Sequence, residues 1–274
     1  MEAILKIRGL RKSYGPFEAL KGIDLDFYPG EFAVVVGPSG AGKSTLIRCV
    51  NRMIDPSGGE ILFNGMHMES LGGTQLRKQR SQIGMIFQHY NLIGRTNVIK
   101  NTLHGRLGHM NFFQSLLGLY PDTDRERAFN LLEEVGLAEQ IYKRADALSG
   151  GQMQRVGICR ALMQEPRLLL ADEPIASLDP KSAEIVMDQL KHLAEERGIC
   201  CIVNLHQVDF ARRYASRVIG VKQGILVFDG RPEFFTEDMA RNIYEGKEAQ
   251  MGDKRPEIKG MPGEAVYEPG YAAV

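Results

Sequence analysis

The segment Phe32–Thr45, FAVVVGPSGAGKST, constrains the fold of this 274-residue chain more than any other. Five apolar residues without alternation read as a parallel strand covered on both faces. Gly37, Gly40 and Gly42 then allow the backbone to turn successive amides inward, and Lys43, Ser44 and Thr45 open a helix. The spacing Gly37-x4-Gly42-Lys43-Ser44, between an apolar strand and a helix, is that of a phosphate-binding loop. In such a loop Lys43 reaches the β and γ phosphates of a triphosphate, and the Ser44 hydroxyl ligates Mg2+. Ser39 and Thr45 complete the cradle.

Triphosphate chemistry also needs a carboxylate for the metal at the end of a neighbouring strand. The run RLLLADEP (167–174) supplies one: Asp172 follows four apolar residues and is placed to hold Mg2+, directly or through water. Glu173, beside it, is placed to orient or deprotonate an attacking water. Two adjacent acids closing an apolar strand before proline are an unusual solvated turn.

A third motif, LSGGQMQRV (148–156), carries no acid and a single charge. Ser149 and Gln152 form S-x-x-Q, which by itself predicts only a capped helix start. Together with the loop at 37 and the acids at 172, however, it is a second anion-binding helix tip, formed by Ser149, Gly150, Gly151 and Gln152. One triphosphate has no evident use for two helix N-termini from distant parts of one chain. A second copy of the chain resolves this.

The rest of the sequence alternates strand and helix signals, which predicts a mostly parallel α/β sheet. Residues 3–32 read as strands separated by turns. Residues 96–165 read as a helical insertion, with a capping box in which Thr123 precedes Glu126. Asp179-Pro180 is an N-cap followed by proline in the first turn. The final helix is expected to run to about Gly246, so that residues 1–248 form one domain. Residues 249–274, rich in glycine, proline and charge, read as a loosely ordered tail.

Composition excludes several classes. Lys plus Arg (34) balances Asp plus Glu (34), leaving no basic surplus for a nucleic-acid backbone. The cysteines at 49, 159, 200 and 201 lack CxxC spacing and read as buried thiols of a reducing compartment, with Cys200 and Cys201 on opposite faces of a strand. No run approaches the ~18 apolar residues of a membrane span, and the alternating N-terminus lacks a signal-peptide pattern. The expectation is a cytoplasmic protein that meets a membrane only through a partner.

The order GPSGAGKST, Gln88, LSGGQMQRV, LLLADEP, SLDP, His206 resembles the ATP-binding subunits of ATP-binding-cassette (ABC) transporters over residues 1–245. The resemblance implies a P-loop NTPase fold with a mostly parallel core sheet, an antiparallel β subdomain and a helical insertion. It also implies ATP and Mg2+, and a head-to-tail homodimer in which Ser149, Gly151 and Gln152 of one copy contact the γ-phosphate bound by the other. By the same match Tyr14 stacks on adenine, Gln88 senses Mg2+ and the water, and His206 contacts the γ-phosphate. Asp179 links the two sites. The other histidines have no ligand spacing. Permease subunits and a periplasmic or extracellular solute-binding protein are the implied partners, at the cytoplasmic face of the membrane.

ADEPIASLDP (171–180), where Ile175 replaces the commoner threonine, resembles the phosphonate-import branch. So do NLHQVDFARRYASRVIGVKQG (204–224) and the insertion segments GRLG (105–108) and FFQSLLGLYP (112–121). Met153 departs from the family's glutamine but lies beyond the anion-contacting residues. The apolar patch Phe112, Phe113, Leu116, Leu117, Leu119 and Tyr120 reads either as a dock for a partner's cytoplasmic helix or as local core. The alternatives are an importer for another solute, an exporter, or a soluble ABC ATPase; tandem cassettes, long coiled-coil insertions and fused membrane helices are not evident.

Overall fold

The computed structural model describes residues 2–245. In chain order they form β1 (Leu5–Tyr14), β2 (Phe17–Phe27), β3 (Phe32–Val36), α1 (Lys43–Val50), β4 (Gly58–Phe63), β5 (Met66–His67), α2 (Gly73–Arg80) and β6 (Ile83–Ile86). Helices α3 (Val98–Leu103), α4 (Phe112–Leu117), α5 (Asp122–Glu134) and α6 (Gly150–Leu162) follow. The chain continues through β7 (Leu168–Asp172), α7 (Pro180–Glu196), β8 (Cys200–Asn204), α8 (Val208–Tyr214), β9 (Arg217–Lys222), β10 (Ile225–Gly230) and α9 (Glu237–Tyr244). The expected end of this helix near Gly246 and the tail 249–274 lie outside the described residues.

Two sheets result. The larger has the order β10-β9-β3-β8-β7-β6, and all its pairings are parallel except that of β10 with β9. The smaller is antiparallel, in the order β2-β1-β4-β5. The unalternating apolar runs are explained by burial on both faces of the parallel sheet. In β3, Phe32, Val34 and Val36 face one core, shared with α5, α6 and α7, whereas Ala33 and Val35 face a second core against α1 and the antiparallel sheet. Strand β8 divides in the same way, Cys201 and Val203 against Cys200 and Ile202, so the adjacent cysteines do point to opposite faces. Each fully buried Val or Leu contributes about 1.5–3 kcal/mol. The four thiols are free and buried, and burial pushes Cys49 up to about 11. They are packing residues.

One expectation fails. Thr123 does not cap a helix: α5 starts at Asp122, with Pro121 as the unbonded cap, and Thr123 lies inside the first turn. The extended conformation of Pro121 sets the start, and Asp122 and Asp124 meet the positive end of the helix dipole. The apolar patch is resolved toward the surface. Phe113, Leu116, Leu117 and Leu119 are exposed, while Tyr120 packs on the core.

Arg217 joins the two sheets. From the start of β9 its guanidinium donates to the Asp26 carbonyl of β2 (2.6 Å), to Glu31 (3.1 Å) and to Asp229 (2.6 Å). Burial opposes its charge, but the Asp229 and Glu31 carboxylates more than compensate and raise its pKa. Removing one member of a buried ionic group strands the others. Arg217→Met should therefore lose about 3–5 kcal/mol in chemical denaturation; an unchanged midpoint and slope would contradict the bridging role.

Candidate functional site

Strands β3, β8, β7 and β6 are consecutive neighbours and run parallel, so their C-terminal ends share one edge. Ligands of open α/β sheets bind at such an edge. It carries the loop after β3, His206 after β8, Asp172 and Glu173 at the end of β7, and Gln88 two residues beyond β6.

The loop is shaped by close approach. A Cβ on Gly37 would lie 2.0 Å from the Val221 carbonyl oxygen, and one on Gly42 2.6 Å from that of Ala19; both residues have positive φ. Only glycine fits. Helix α1 then starts without a side-chain cap, so the amides of its first turn, which holds Lys43, Ser44 and Thr45, have no intrahelical acceptor. Ser39 and Gly40 form the exposed rim. Lys43 is 3% exposed, and among the described residues its ammonium donates only to the carbonyls of Gly37 (2.7 Å) and Pro38 (3.1 Å). Burial lowers its pKa, and the negative charges of Glu173 and Asp172 oppose that shift. A desolvated cation beside free amides is a receptor for a polyanion.

Asp172 is also buried. One carboxylate oxygen accepts from the Asn204 amide (3.0 Å) and the other from Arg48 (3.1 Å). Glu173 has φ +53°, a left-handed conformation that costs about 1–3 kcal/mol outside glycine. There its carboxylate lies 2.6 Å from His206 Nε2. A small cavity of about 140 Å³ is lined by Glu173, Ile175, Ala176, Leu205, His206 and Gln207. It has room for ordered water, which needs about 30 Å³ per molecule.

Not every candidate joins this cluster. Gln88 stands on the same edge, but it makes no hydrogen bond with Asp172 or Glu173 among the described residues. Tyr14 ends β1 with its ring half exposed and the Lys12 ammonium 5.1 Å above it. Ser149 caps α6 in a capping box: its amide donates to Gln152 Oε1 (3.0 Å), and its hydroxyl accepts from the Gln152 amide (3.4 Å). Gly150 fits closely against the Tyr90 hydroxyl and Leu178, and Gly151 against Ser182. Asp179 caps α7, accepting from the Ser182 amide (3.0 Å), and the Ser182 hydroxyl and amide hold its carboxyl below the usual range. Among the described residues no hydrogen bond or ion pair links Ser149–Gln152 to the loop at 37–45. The two helix tips are separate within one chain.

Sequence reasoning misses Arg48, Asn204 and Tyr244. Arg48 follows Ser44 by one helical turn, a spacing that puts both on one face. Asn204 is the polar residue closing the apolar run ICCIVN. Tyr244 carries no signal of its own. Elsewhere Glu134, His192 and Glu196 cluster at the surface, but Arg197 pairs with both acids (2.8 and 3.0 Å), so the group is an ion-pair cluster.

Comparison with known proteins agrees with this geometry. The family model described as ABC transporter matches residues 20–176, more than half of the chain. A phosphonates import ATP-binding protein of Oceanobacillus iheyensis is 50% identical over 242 residues, covering 88% of this chain and 95% of the relative. One of Rhodopseudomonas palustris is 46% identical, covering 98% and 99%. Among solved structures, a dimeric ATP-binding cassette in a post-hydrolysis state, bound to ADP and Pi, superposes with a TM-score of 0.72 at 33% identity, covering 83% of this chain and 98% of that one. With a buried lysine in an uncapped glycine loop and two acids at the end of the strand next but one, the chain belongs to the ABC transporter family as an ATP-binding cassette.

Proposed function

We propose that this chain is the ATP-hydrolysing subunit of an ABC importer that takes up phosphonates, working as a head-to-tail pair beneath membrane permease subunits. The observation that carries the ATPase reading is Lys43, buried beside unsatisfied amides and one strand away from a Glu173–His206 pair. The solute is supported by similarity to phosphonate-import proteins, since no residue of an ATPase subunit needs to touch the solute.

The residues present fit a Mg2+ ion. The Ser44 hydroxyl, the Asp172 carboxylate and the Gln88 amide supply hard oxygen donors, and the Asn204 Oδ1 is buried with no hydrogen-bond partner among the described residues. When bound, Mg2+ neutralises charge on the β and γ phosphates. Lys43 and the first-turn amides hold those phosphates, and Tyr14 offers a face to adenine. Glu173 takes a proton from water as the water oxygen bonds to the γ-phosphorus and the bond to the ADP oxygen breaks. His206, already bonded to Glu173, keeps that carboxylate oriented and contacts the γ-phosphate.

The second tip acts in trans. Within one chain the capping box leaves the Gly150 and Gly151 amides without intrahelical acceptors. They, with Ser149 and Gln152, close over the γ-phosphate held by the other copy, and Asp179 links the two sites. Binding energy for ATP thereby becomes dimerisation energy, and hydrolysis removes it. A cleft of about 810 Å³ lined by Ile99, Leu103, Leu116, Leu117, Tyr120 and Phe129 offers the permease a dock beside the exposed α4. No helix among the described residues is long and apolar enough to cross a membrane; the place of this subunit at the cytoplasmic face rests on the family resemblance. Within the described residues, 96–165 form the helical part of the cassette. A solute-binding protein outside the membrane completes the importer, and nucleic acid plays no part.

Three outcomes test this reading. Glu173→Gln keeps an acceptor for His206 but no base, so turnover should fall by at least about 100-fold while bound ATP and the dimer persist; a variant that neither traps ATP nor dimerises would remove Glu173 from its role. Lys43→Ala should weaken ATP binding at least about tenfold in equilibrium titration, the loss of one desolvated charge contact, and normal affinity would contradict the loop assignment. With the permease and binding protein reconstituted, ATPase activity should rise with phosphonates in a panel that includes phosphite and phosphate. Stimulation by an unrelated solute alone would overturn the phosphonate reading, and absence of any co-purifying permease would favour a soluble ATPase.

A further inference from the structure

Helix α9 ends against the phosphate loop, more than 200 positions away in sequence. The Tyr244 hydroxyl accepts from the Gly37 amide (3.2 Å, a separation of 207 residues) and donates to the His206 carbonyl (2.8 Å). Gly37 opens the phosphate loop after β3, and His206 follows the neighbouring β8. One oxygen atom thus spans the two strand ends that carry the phosphate cradle and the partner of Glu173.

Among the described residues the joint it braces has few other hydrogen bonds. The Leu205 amide is held by the Val35 carbonyl (3.0 Å), and α8 starts after Gln207 with no side-chain cap. Between them, His206 is fixed by its side-chain bond to Glu173 and by this carbonyl bond to Tyr244. The brace itself is anchored. Lys222 at the end of β9 donates to the Asn242 carbonyl (2.7 Å), Ile243 is buried, and the Tyr244 ring packs on the larger core. Burial raises the phenol pKa against the opposing bond from Gly37, so the hydroxyl keeps its proton.

We propose that Tyr244 is a positioning residue for ATP hydrolysis, its hydroxyl holding the His206 joint in register with the phosphate loop. The proposal rests on the ATPase reading above. Displacing a catalytic contact by about 1 Å can lower rates by up to about 100-fold, while ground-state binding is untouched. The test compares Tyr244→Phe with the wild-type chain in the full membrane assembly, well below the melting temperature of either. The kcat for ATP should fall about tenfold with KM changed less than about twofold. A merely structural hydroxyl would lower the melting temperature and leave kcat intact; that result overturns the proposal, as does a KM that rises by the factor by which kcat falls. Wild-type chain without ATP turnover would sink the ATPase reading and this one together, whereas normal kcat in the variant alone sinks only the role of Tyr244.

Discussion

The arrangement depends on one desolvated charge. An ammonium as buried as that of Lys43 is unfavourable unless oxygen atoms surround it, and its own loop supplies only two carbonyls, those of Gly37 and Pro38. The glycine positions at 37 and 42 follow from this, because the loop must fold tightly against Val221 and Ala19 for its carbonyls to reach the lysine. The placement of Asp172 and Glu173 follows too. They end the strand next but one to β3, close enough for their charge to offset the desolvation of Lys43 without neutralising it in an ion pair. A loop so built is suited to a polyanion, whose oxygens would fill the places that the protein leaves open.

The same logic explains why one helix tip is partly capped and the other open. At α1 no side chain caps the helix, and the amides of its first turn are left without an intrahelical acceptor. At α6 the Ser149–Gln152 box occupies two donors and leaves the two glycine amides. The longer of its two hydrogen bonds, 3.4 Å, is the one accepted by the Ser149 hydroxyl, which keeps that oxygen weakly engaged. A tip of this kind is stable alone yet retains donors for a second molecule. It suits a site completed only when two copies meet.

Local features were the legible ones. The five buried residues of β3, the glycine loop, the Ser149 box and the Asp179-Pro180 start each depend on neighbours within a few positions, and each stands where the residues indicate. Thr123 fails because two local signals compete: Pro121 fixes an extended entry and the acids of the first turn take over the electrostatics, so the hydroxyl is not needed. The insertion patch stayed open in the sequence since periodicity cannot tell an outward apolar face from an inward one. Arg48 and Asn204 were hidden for another reason. Their partner, Asp172, lies 124 and 32 residues away, and only strand register brings it opposite Asn204.

Strand register also sets where the cassette ends as a working unit. The family model matches residues 20–176, a span that holds the glycine loop, Ser149 and both acids but not Asn204, His206 or Tyr244. Yet β8 is the strand inserted between β3 and β7, so without it the loop and the acids would not be neighbours at all. Strand β9 borders β3 on its other side, and its Val221 carbonyl forms the wall against which Gly37 folds. The residues most easily recognised are therefore held in place by those that follow, and α9, packed on β9, is the outermost member of that support. Parallel sheets build sites in this way: strands far apart in sequence share an edge, so the chemistry resides in the recognisable loops and their geometry in the strands between.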